Sequence, residues 1–535
     1  MTLLGRYKYE DKVSNINCKQ DNQVILLNPL GVSKGRYKRM IPYRDENYRP
    51  HRLVPLLPWV VVALLAINAM YFVLRVSNPV IIADGWYYLG SFLKHAIDHT
   101  LNLSDFFIKR NVDDHAAPLF RLLLLVNYRY FDVDYVLDAV VGCLSAVGCC
   151  LIFRIIIFSG SIPRKRLVLS VCWMAVSALM LSLNSIGVWD WPLVSLENLT
   201  QLFILSFILA TWHAYRTRQQ YLLVVATLVL GVTSDDSALV AAMASLIAYV
   251  LMLRTNIAGK NYADWKVIVV IGVCIAAVRV GYACIPMGYT SQSQHSLTNV
   301  VPLLLEQFKD GGWWQWIFFP LVLPVYYQNP FGQAHVAMWH VTQAIMAALL
   351  LAAHIAFWRR ALRIKYDIRA FAAVNLMLLT YGWIAGILLW RVSSDGNDYL
   401  EQPRYVLYYS GHLIALLLMW ASSSTTLERP APFERALKLW VPVAGSLILL
   451  LIQIPQSQDA WHTRPYKWAY YSAMAHQIQA LAKDPAHFKD CATIEPVCGA
   501  PPTTRAALTG LLKENKLNVF SPKVQKWHPY LVPQG

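Results

Sequence analysis

Apolar runs long enough to cross a lipid bilayer recur along this chain, with short basic segments between them. A membrane-crossing helix needs about 20 apolar residues. The first run, 53–76, begins too deep in the chain and is too long for the apolar stretch of a cleaved leader, so it is expected to remain as the first transmembrane helix. Further single crossings are expected at 135–158, 167–185, 196–215, 267–285, 333–358, 370–390, 405–421 and 439–454. The stretch 221–253 is too long for one crossing and short for two. It reads as a hairpin whose apex, Ser234, Asp235, Asp236 and Ser237, is recessed in the membrane. Carboxylates at that depth must face a wet cavity or a partner. Eleven crossings result.

Charge orients them. The first 52 residues hold eleven Lys and Arg against five acids, and cytoplasmic segments gather basic residues, so this tail is expected inside and the first helix runs outward. The basic groups at Arg164 to Arg166, Arg216 and Arg218, Arg254 to Lys266, Arg359 to Arg369, and Arg429 to Lys438 then all fall on the inner side. That alternation forbids an ordinary crossing by the Trp-rich stretch 313–327. With Pro320 and Pro324 inside it, the stretch suits an interfacial or re-entrant element.

Two polar regions interrupt the pattern on the outer side. The first outer loop, 78–132, is about 55 residues long, where ordinary connections take about 2 to 8. The end of the chain is polar and proline-bearing. The expected organisation is a basic cytoplasmic tail (1–52), an all-α transmembrane domain (53–455) and a small external domain (456–535).

Composition agrees and excludes alternatives. Of 535 residues, 56% are hydrophobic and 15% charged, and the mean hydropathy is +0.39. Soluble chains carry about a quarter charged residues, so soluble, disordered and secreted disulfide-stapled classes drop out. The net charge of +16 lies in loops between spans and forms no basic stripe with interleaved aromatics, which argues against nucleic acid as a partner. No Gly-rich loop of the Lys-Ser/Thr type occurs, so no nucleotide is expected to supply energy. Cys18, Cys143, Cys149, Cys150, Cys172, Cys274 and Cys284 lie in the inner tail or in apolar spans and read as packing residues. Cys491 and Cys498, alone in the external tail, are expected to form a disulfide in an oxidising compartment.

Acids in outer loops are the main chemical signal. Asp84 follows the first span closely, in Ala83-Asp84-Gly85-Trp86-Tyr87-Tyr88, and Asp113-Asp114-His115 comes about thirty residues later, followed by Arg121. A carboxylate at the membrane surface can serve as general base toward a hydroxyl nucleophile while neighbouring aromatics hold a sugar or an acyl chain. A solvated loop with interfacial aromatics is the plain alternative. Arg391 and Arg404 bracket a loop that contains Asp395, Asp398 and Glu401, and Arg279 lies inside the outer end of its span. Guanidinium groups match phosphate oxygens and stay charged when partly desolvated. Glu197 and Asn198 begin a span beside Asp190, where acids also favour a helix start.

These features together resemble the integral-membrane glycosyltransferases of the C superfold (GT-C). Members have about eight to thirteen helices, a long first outer loop with short surface helices, and often an external C-terminal domain. Their catalytic acid falls shortly after the first helix, as Asp84 does, and a second acid often occurs later in that loop, as Asp113 and Asp114 do. Their donors are polyprenyl-phosphate or polyprenyl-diphosphate sugars, and an arginine near a late helix end commonly receives the phosphate. Pro403-Arg404-Tyr405-Val406 is similar to the Ser-Arg-Tyr stretch of many bacterial members. The Trp-Trp-Asp motif of the oligosaccharyltransferase branch is absent, and Trp189-Asp190-Trp191 is a loose echo of it in another loop.

The resemblance implies transfer of a sugar from a polyprenyl-phosphate carrier to a glycan, lipid or polymer acceptor on the outer face of a bacterial inner membrane. Asp84 would be the general base, with Asp113, Asp114 and His115 as further catalytic candidates. Arg121, Arg279, Arg391, Arg404 and Tyr405 would bind substrate. No cofactor is needed for a monophosphate donor, whereas a diphosphate would call for a divalent cation. The competing reading is a transporter or flippase of lipid-linked glycans, for which the two related halves of transporters are missing.

Overall fold

The computed structural model describes residues 56–109, 118–160, 166–184, 186–256, 265–285, 297–309, 311–329, 335–422, 432–489 and 494–532. The basic tail 1–52, Cys491 and the Asp113-Asp114-His115 cluster lie outside them. Every regular element among the described residues is helical, and Pro55–Gly535 packs as one compact unit.

After α1 (Leu57–Val76) comes the first long loop, built from α2 (Asp84–Tyr88), a wide π turn (Leu89–Leu93), α3 (Lys94–Ile97), a 3-10 turn (Leu103–Phe106) and α4 (Pro118–Phe131). The bundle continues with α5 (Val136–Phe158) and α6 (Arg166–Met180), the short α7 (Ile186–Asp190) and α8 (Pro192–Ser195), and then α9 (Glu197–Thr217), α10 (Tyr221–Asn256) and α11 (Trp265–Ala283). The amphipathic α12 (Leu297–Lys309) precedes α13 (Trp313–Val322), α14 (Val336–Ala361) and α15 (Ile368–Ile387). A second π turn (Leu388–Val392), α16 (Ser393–Asp395) and 3-10 turns at Asn397–Glu401 and Pro403–Tyr405 lead into α17 (Val406–Ala421). The tail comprises α18 (Pro432–His462), α19 (Arg464–Leu481), α20 (Glu495–Cys498), α21 (Pro502–Glu514) and α22 (Pro522–Trp527).

Eight of these helices are long and apolar enough to cross a membrane, in α1, α5, α9, α10, α11, α14, α15 and α18. The chain is an all-α polytopic membrane protein. Its packing follows membrane rules, in which helices approach through small side chains and present large apolar ones outward. On α5, Ala139, Gly142, Cys143, Ala146, Cys149 and Cys150 form a buried stripe, whereas Leu144, Leu151 and Ile155 are exposed. The stripe brings α5 so close to α8 that a Cβ on Gly142 would lie 2.3 Å from the Ser195 carbonyl oxygen. The cysteines of this stripe are free and buried, as packing residues are.

One buried cation closes the bundle at the end opposite the long loop. Arg369, 1% exposed, donates from Nε to the Ile157 carbonyl (2.8 Å), from Nη1 to Ala421 (2.9 Å) and from Nη2 to Ser159 (2.6 Å). The last carbonyls of a helix lack internal partners, so a single guanidinium caps α5 and α17 from the start of α15. Asp367 caps α15 by accepting from the Ala370 amide (2.9 Å) and lies 3.7 Å from Arg369.

Three expectations change. The run 221–253 contains no loop at Ser234 to Ser237, because the backbone stays helical from Tyr221 to Asn256. It is bent all the same. A straight helix would separate Tyr221 from Tyr249 by about 42 Å, yet Tyr215, six residues before Tyr221, packs its ring on Tyr249 with centroids 6.0 Å apart. That stretch and two side chains reach about 35 Å at most. The Thr233 hydroxyl donates to the Val229 carbonyl (2.7 Å) just before the acids, a back-bond that bends helices.

The second change concerns the expected boundary at 455, which falls inside α18, a continuous helix through Pro442 and Pro455. Third, the tail does not keep a core to itself. Tyr471, Met474, Ile478, Leu512, Val519 and Leu531 are buried with Val80, Ile81, Trp86, Leu89, Phe92 and Tyr135 of the first loop in one cluster.

Asn518 locks the two segments together. Its backbone is left-handed (φ 51°), its amide nitrogen donates to the carbonyls of Pro79 (2.9 Å) and Val133 (2.6 Å), and its side-chain oxygen accepts from the Ile81 amide (3.3 Å). His528 adds a buried contact to Asp134 (2.9 Å).

The Trp-rich stretch forms α13, about 15 Å long and too short to cross. Its exit turn is held by Asn184, whose amide nitrogen donates to the Leu323 carbonyl (2.9 Å) and whose oxygen accepts from the Tyr327 amide (2.7 Å). Gln456 donates to the Val325 carbonyl (2.7 Å) from the extension of α18.

Candidate functional site

Two loop segments meet at the end of the bundle that carries the long loop. Gly187 of α7 lets Pro403 approach so closely that a Cβ there would stand 2.8 Å from the proline ring. Behind α7, the Asn78 amide donates to the Asp190 carbonyl (3.1 Å), so the start of the first loop is fixed to the same element. Lys467 of α19 pairs with the Asp190 carboxylate. Burial nevertheless holds the Asp190 carboxyl above its ordinary range, against the lowering effect of Lys467.

Arg404 occupies the centre of this junction. Its guanidinium lies over the rings of Tyr405 (5.1 Å), Tyr399 (5.3 Å) and Trp191 (5.8 Å). Its Nη2 donates to the Tyr399 hydroxyl. The Nε–H is buried and donates to no acceptor among the described residues, and the indole N–H of Trp191 is in the same condition. Two buried donors without acceptors among the described residues therefore belong to one cation–ring pair. Burial pushes the Tyr405 hydroxyl up to about 12, while Arg404 and Arg391 draw it down. Arg391 is exposed and is carried on the π turn Leu388–Val392. A wide turn adds a residue to the helix and re-aims the side chains that follow it. Tyr408 extends the aromatic wall and hydrogen-bonds Glu197, the first residue of α9.

The loop that carries Arg404 is itself anchored. Trp316 donates to the Asn397 side chain (2.7 Å), Asn397 donates to Gln307 (3.0 Å), and the Tyr327 hydroxyl donates to the Glu401 carbonyl (2.7 Å). α12 and α13 thus hold one side of the mouth, and α7 holds the other.

The remaining sequence candidates divide. Asp84 is exposed as the first residue of α2, directly after Ala83 in a positive-φ conformation (45°). Gly85 is required next to it, since a Cβ there would meet the Tyr135 hydroxyl at 2.8 Å. Arg121 departs from the expected role. It is 2% exposed, donates to the carbonyls of Phe106 (2.8 Å) and Ile108, and lies over Tyr88 (5.4 Å), so in this structure it organises the first loop. Arg279 pairs with Asp236 (2.6 Å) between α11 and α10. Charged side chains on apolar helices need a partner of this kind wherever lipid surrounds them. Cys498 is disulfide-bonded and buried in the tail core, while Cys491 lies outside the described residues.

The structure thus brings together Arg391, Arg404 and Tyr405, and adds Trp191, Tyr399 and Tyr408. Trp191 carried a readable signal in Trp189-Asp190-Trp191. Tyr399 and Tyr408 had none, since interfacial tyrosines abound in this chain. Among the described residues no group of three or more His, Cys, Asp or Glu is placed to hold a metal ion. No family model matches the chain, and no curated protein or solved structure matches it.

Proposed function

We propose that this protein is a membrane glycosyltransferase that moves a sugar from a polyprenyl-phosphate carrier to a glycan, lipid or polymer acceptor at the outer face of a bacterial inner membrane. The observation that carries this reading is the mouth around Arg404, where a cation, two buried N–H donors without acceptors and four aromatic rings meet. Phosphate oxygens are the acceptors that such donors fit, and aromatic faces suit an isoprenoid or a sugar ring. In the proposed step Asp84 takes the proton of the acceptor hydroxyl and the oxygen attacks the anomeric carbon. The bond from that carbon to the phosphate oxygen breaks, and Arg404, assisted by Arg391, stabilises the charge that gathers on the departing lipid phosphate.

The accompanying topology is eleven crossings. The short apolar helices α6, α17 and the first part of the bent α10 join the eight longer ones, with the N-terminus cytoplasmic and the tail periplasmic. Reconstitution with a radiolabelled polyprenyl-phosphate sugar and a cell-envelope glycan extract tests the reading, and covalent incorporation of label is the expected result. Replacement of Asp84 by Asn keeps shape and removes the base, so turnover should fall about 100-fold to 10,000-fold with donor binding retained. Movement of the lipid-linked sugar across the vesicle without transfer would favour a flippase instead. Wild-type turnover in Asp84→Asn with loss in Asp113→Asn or Asp114→Asn would move the base to the second cluster.

A further inference from the structure

A second site lies at the end of the bundle opposite the long loop, away from the Arg404 mouth and independent of sugar transfer. α1 and α6 begin there, α5 ends there, and the three helices pack on one another. Arg154 stands four residues before the last residue of α5, about 6 Å inside the helix end. Side chains on a helix lean toward its N-terminus, which for Arg154 would mean deeper into hydrocarbon. Its guanidinium instead lies over the ring of Phe158 (5.5 Å), the last residue of α5, and over that of Trp59 (4.6 Å), the third residue of α1. The charge is thus held at the level of the first turn of α1.

Three rings fix this cation in place. Trp173 of α6, 1% exposed, closes the floor with its centroid 5.8 Å from the guanidinium, and its indole N–H is spent on the Cys150 carbonyl (2.9 Å). Trp59, 42% exposed, packs edge-on against Trp173 (4.9 Å, 76°) and forms a wall that lipid can reach. Rings take the face of a guanidinium and leave its N–H edge. Arg154 makes no hydrogen bond or ion pair among the described residues. α1 and α6 contain no acid, and Asp138, the one acid of α5, is sixteen residues away, about 24 Å. A partly desolvated cation whose donor edge meets no protein acceptor calls for an anion from outside.

The surroundings decide which anion. Leu151 and Ile155 flank Arg154 on α5, Val60 and Leu64 follow Trp59 on α1, and all four are exposed. Hydrocarbon therefore borders the charge, as acyl chains border a lipid phosphate. Arg166, the exposed first residue of α6, adds positive charge at this end, and α1 and α6 both begin here, with the positive ends of their dipoles. A zwitterionic head group brings a quaternary ammonium that would seek aromatic faces, and Arg154 already covers them. Guanidinium forks take phosphate oxygens in pairs, and basic pockets between spans suit anionic head groups.

We propose that Arg154, boxed by Trp59, Phe158 and Trp173, binds the phosphate of one anionic phospholipid in the leaflet at this end of the bundle. The test is native mass spectrometry of the full-length protein in detergent, titrated with phosphatidylglycerol or phosphatidylcholine of identical acyl chains. The expected result is a first binding event at least about tenfold tighter for phosphatidylglycerol. Inorganic phosphate in excess over the lipid should not displace it, because it lacks the chains.

Arg154→Gln should remove the preference. Trp59→Leu, a change at a half-exposed ring that keeps the charge, should weaken it, since the cation loses the wall that holds it. Arg254→Gln, at an exposed arginine near the end of α10, should leave it unchanged. Thermal unfolding without added lipid reports whether each variant is folded, and Trp59→Leu decides alone where Arg154→Gln does not fold. Equal affinity of the wild type for the two lipids, a preference that survives in every folded variant of Arg154 and Trp59, an equal loss in Arg254→Gln, or displacement by inorganic phosphate would each overturn the proposal.

Discussion

Arg404 illustrates how much depends on the shape of a cation and not only on its charge. A lysine at this position would keep a positive charge near Tyr405 and Tyr399 but would lose the planar face that lies over three rings and the buried Nε–H that has no acceptor among the described residues. If a lipid phosphate accepts from that donor in the transition state, Arg404→Lys should lower kcat/KM about 10-fold to 150-fold, the equivalent of one charge-assisted hydrogen bond of about 1.5 to 3 kcal/mol. Turnover at several donor concentrations for wild type, Arg404→Lys and Arg404→Ala, with thermal unfolding in detergent as a folding control, measures this. Identical kinetics in all three would make Arg404 an anchor for the loop Asn397–Glu401 and remove the main support for a phosphate-linked donor. This arginine stands out in the sequence because it brackets an acid-bearing loop with Arg391 and lies in Pro403-Arg404-Tyr405-Val406, which is similar to the Ser-Arg-Tyr stretch of the resembled family. Arg121 stands out as well, yet it folds inward onto the carbonyls of Phe106 and Ile108. A lone arginine in a long loop reads the same whether its acceptors belong to a ligand or to its own backbone, so that difference was not legible.

At the scale of elements, legibility followed hydropathy. Runs of about 20 apolar residues marked α1, α5, α9, α11, α14 and α15 to within a few residues, because lipid admits little else at that length. The Trp-rich α13 was recognised as a non-crossing element from its prolines and from the charge alternation on either side. The polar apex read at Ser234 to Ser237 lies where α10 bends back, but the sequence does not show that the backbone stays helical through it, with Arg279 paired to Asp236 there. Close helix approach was equally silent, since Gly142 is one glycine among twenty-five. Its importance appears only in the 2.3 Å that would separate a Cβ from the Ser195 carbonyl. Gly142→Ala must push α5 away from backbone that cannot yield as a flexible side chain would, and overpacking of this kind costs about 1 to 3 kcal/mol. Thermal unfolding should move down accordingly. Gly272→Ala, where nothing lies within 4 Å, should leave it unchanged and serves as the matched control.

For the molecule as a whole, the decisive feature is that the long first loop and the tail are one structure. Composition suggested two separate polar regions, because apolar residues such as Ile81, Trp86, Ile478 and Val519 are scattered too thinly in each to announce a shared core. Neither region buries its apolar face alone, and small autonomous units rarely manage it. The union also bears on the candidate chemistry, since Asp84 stands on α2, whose neighbours Ile81 and Trp86 are packed in that core. Asn518 is the test. Its side chain serves the Pro79 and Val133 carbonyls and the Ile81 amide, and Asn518→Ala leaves all three buried groups without it. At about 1 to 3 kcal/mol for each unmatched group, with partial relaxation, local stability should drop by at least about 2 kcal/mol, which is roughly 30-fold faster amide exchange. Hydrogen exchange read by mass spectrometry should show this acceleration in residues 79–82 and 133–135 as well as in 517–521, with α15 unchanged. Asn518→Gly, which keeps the left-handed backbone, should lose the same hydrogen bonds and behave alike. An independent tail domain predicts faster exchange in the tail only, and that outcome would separate the support of Asp84 from the end of the chain.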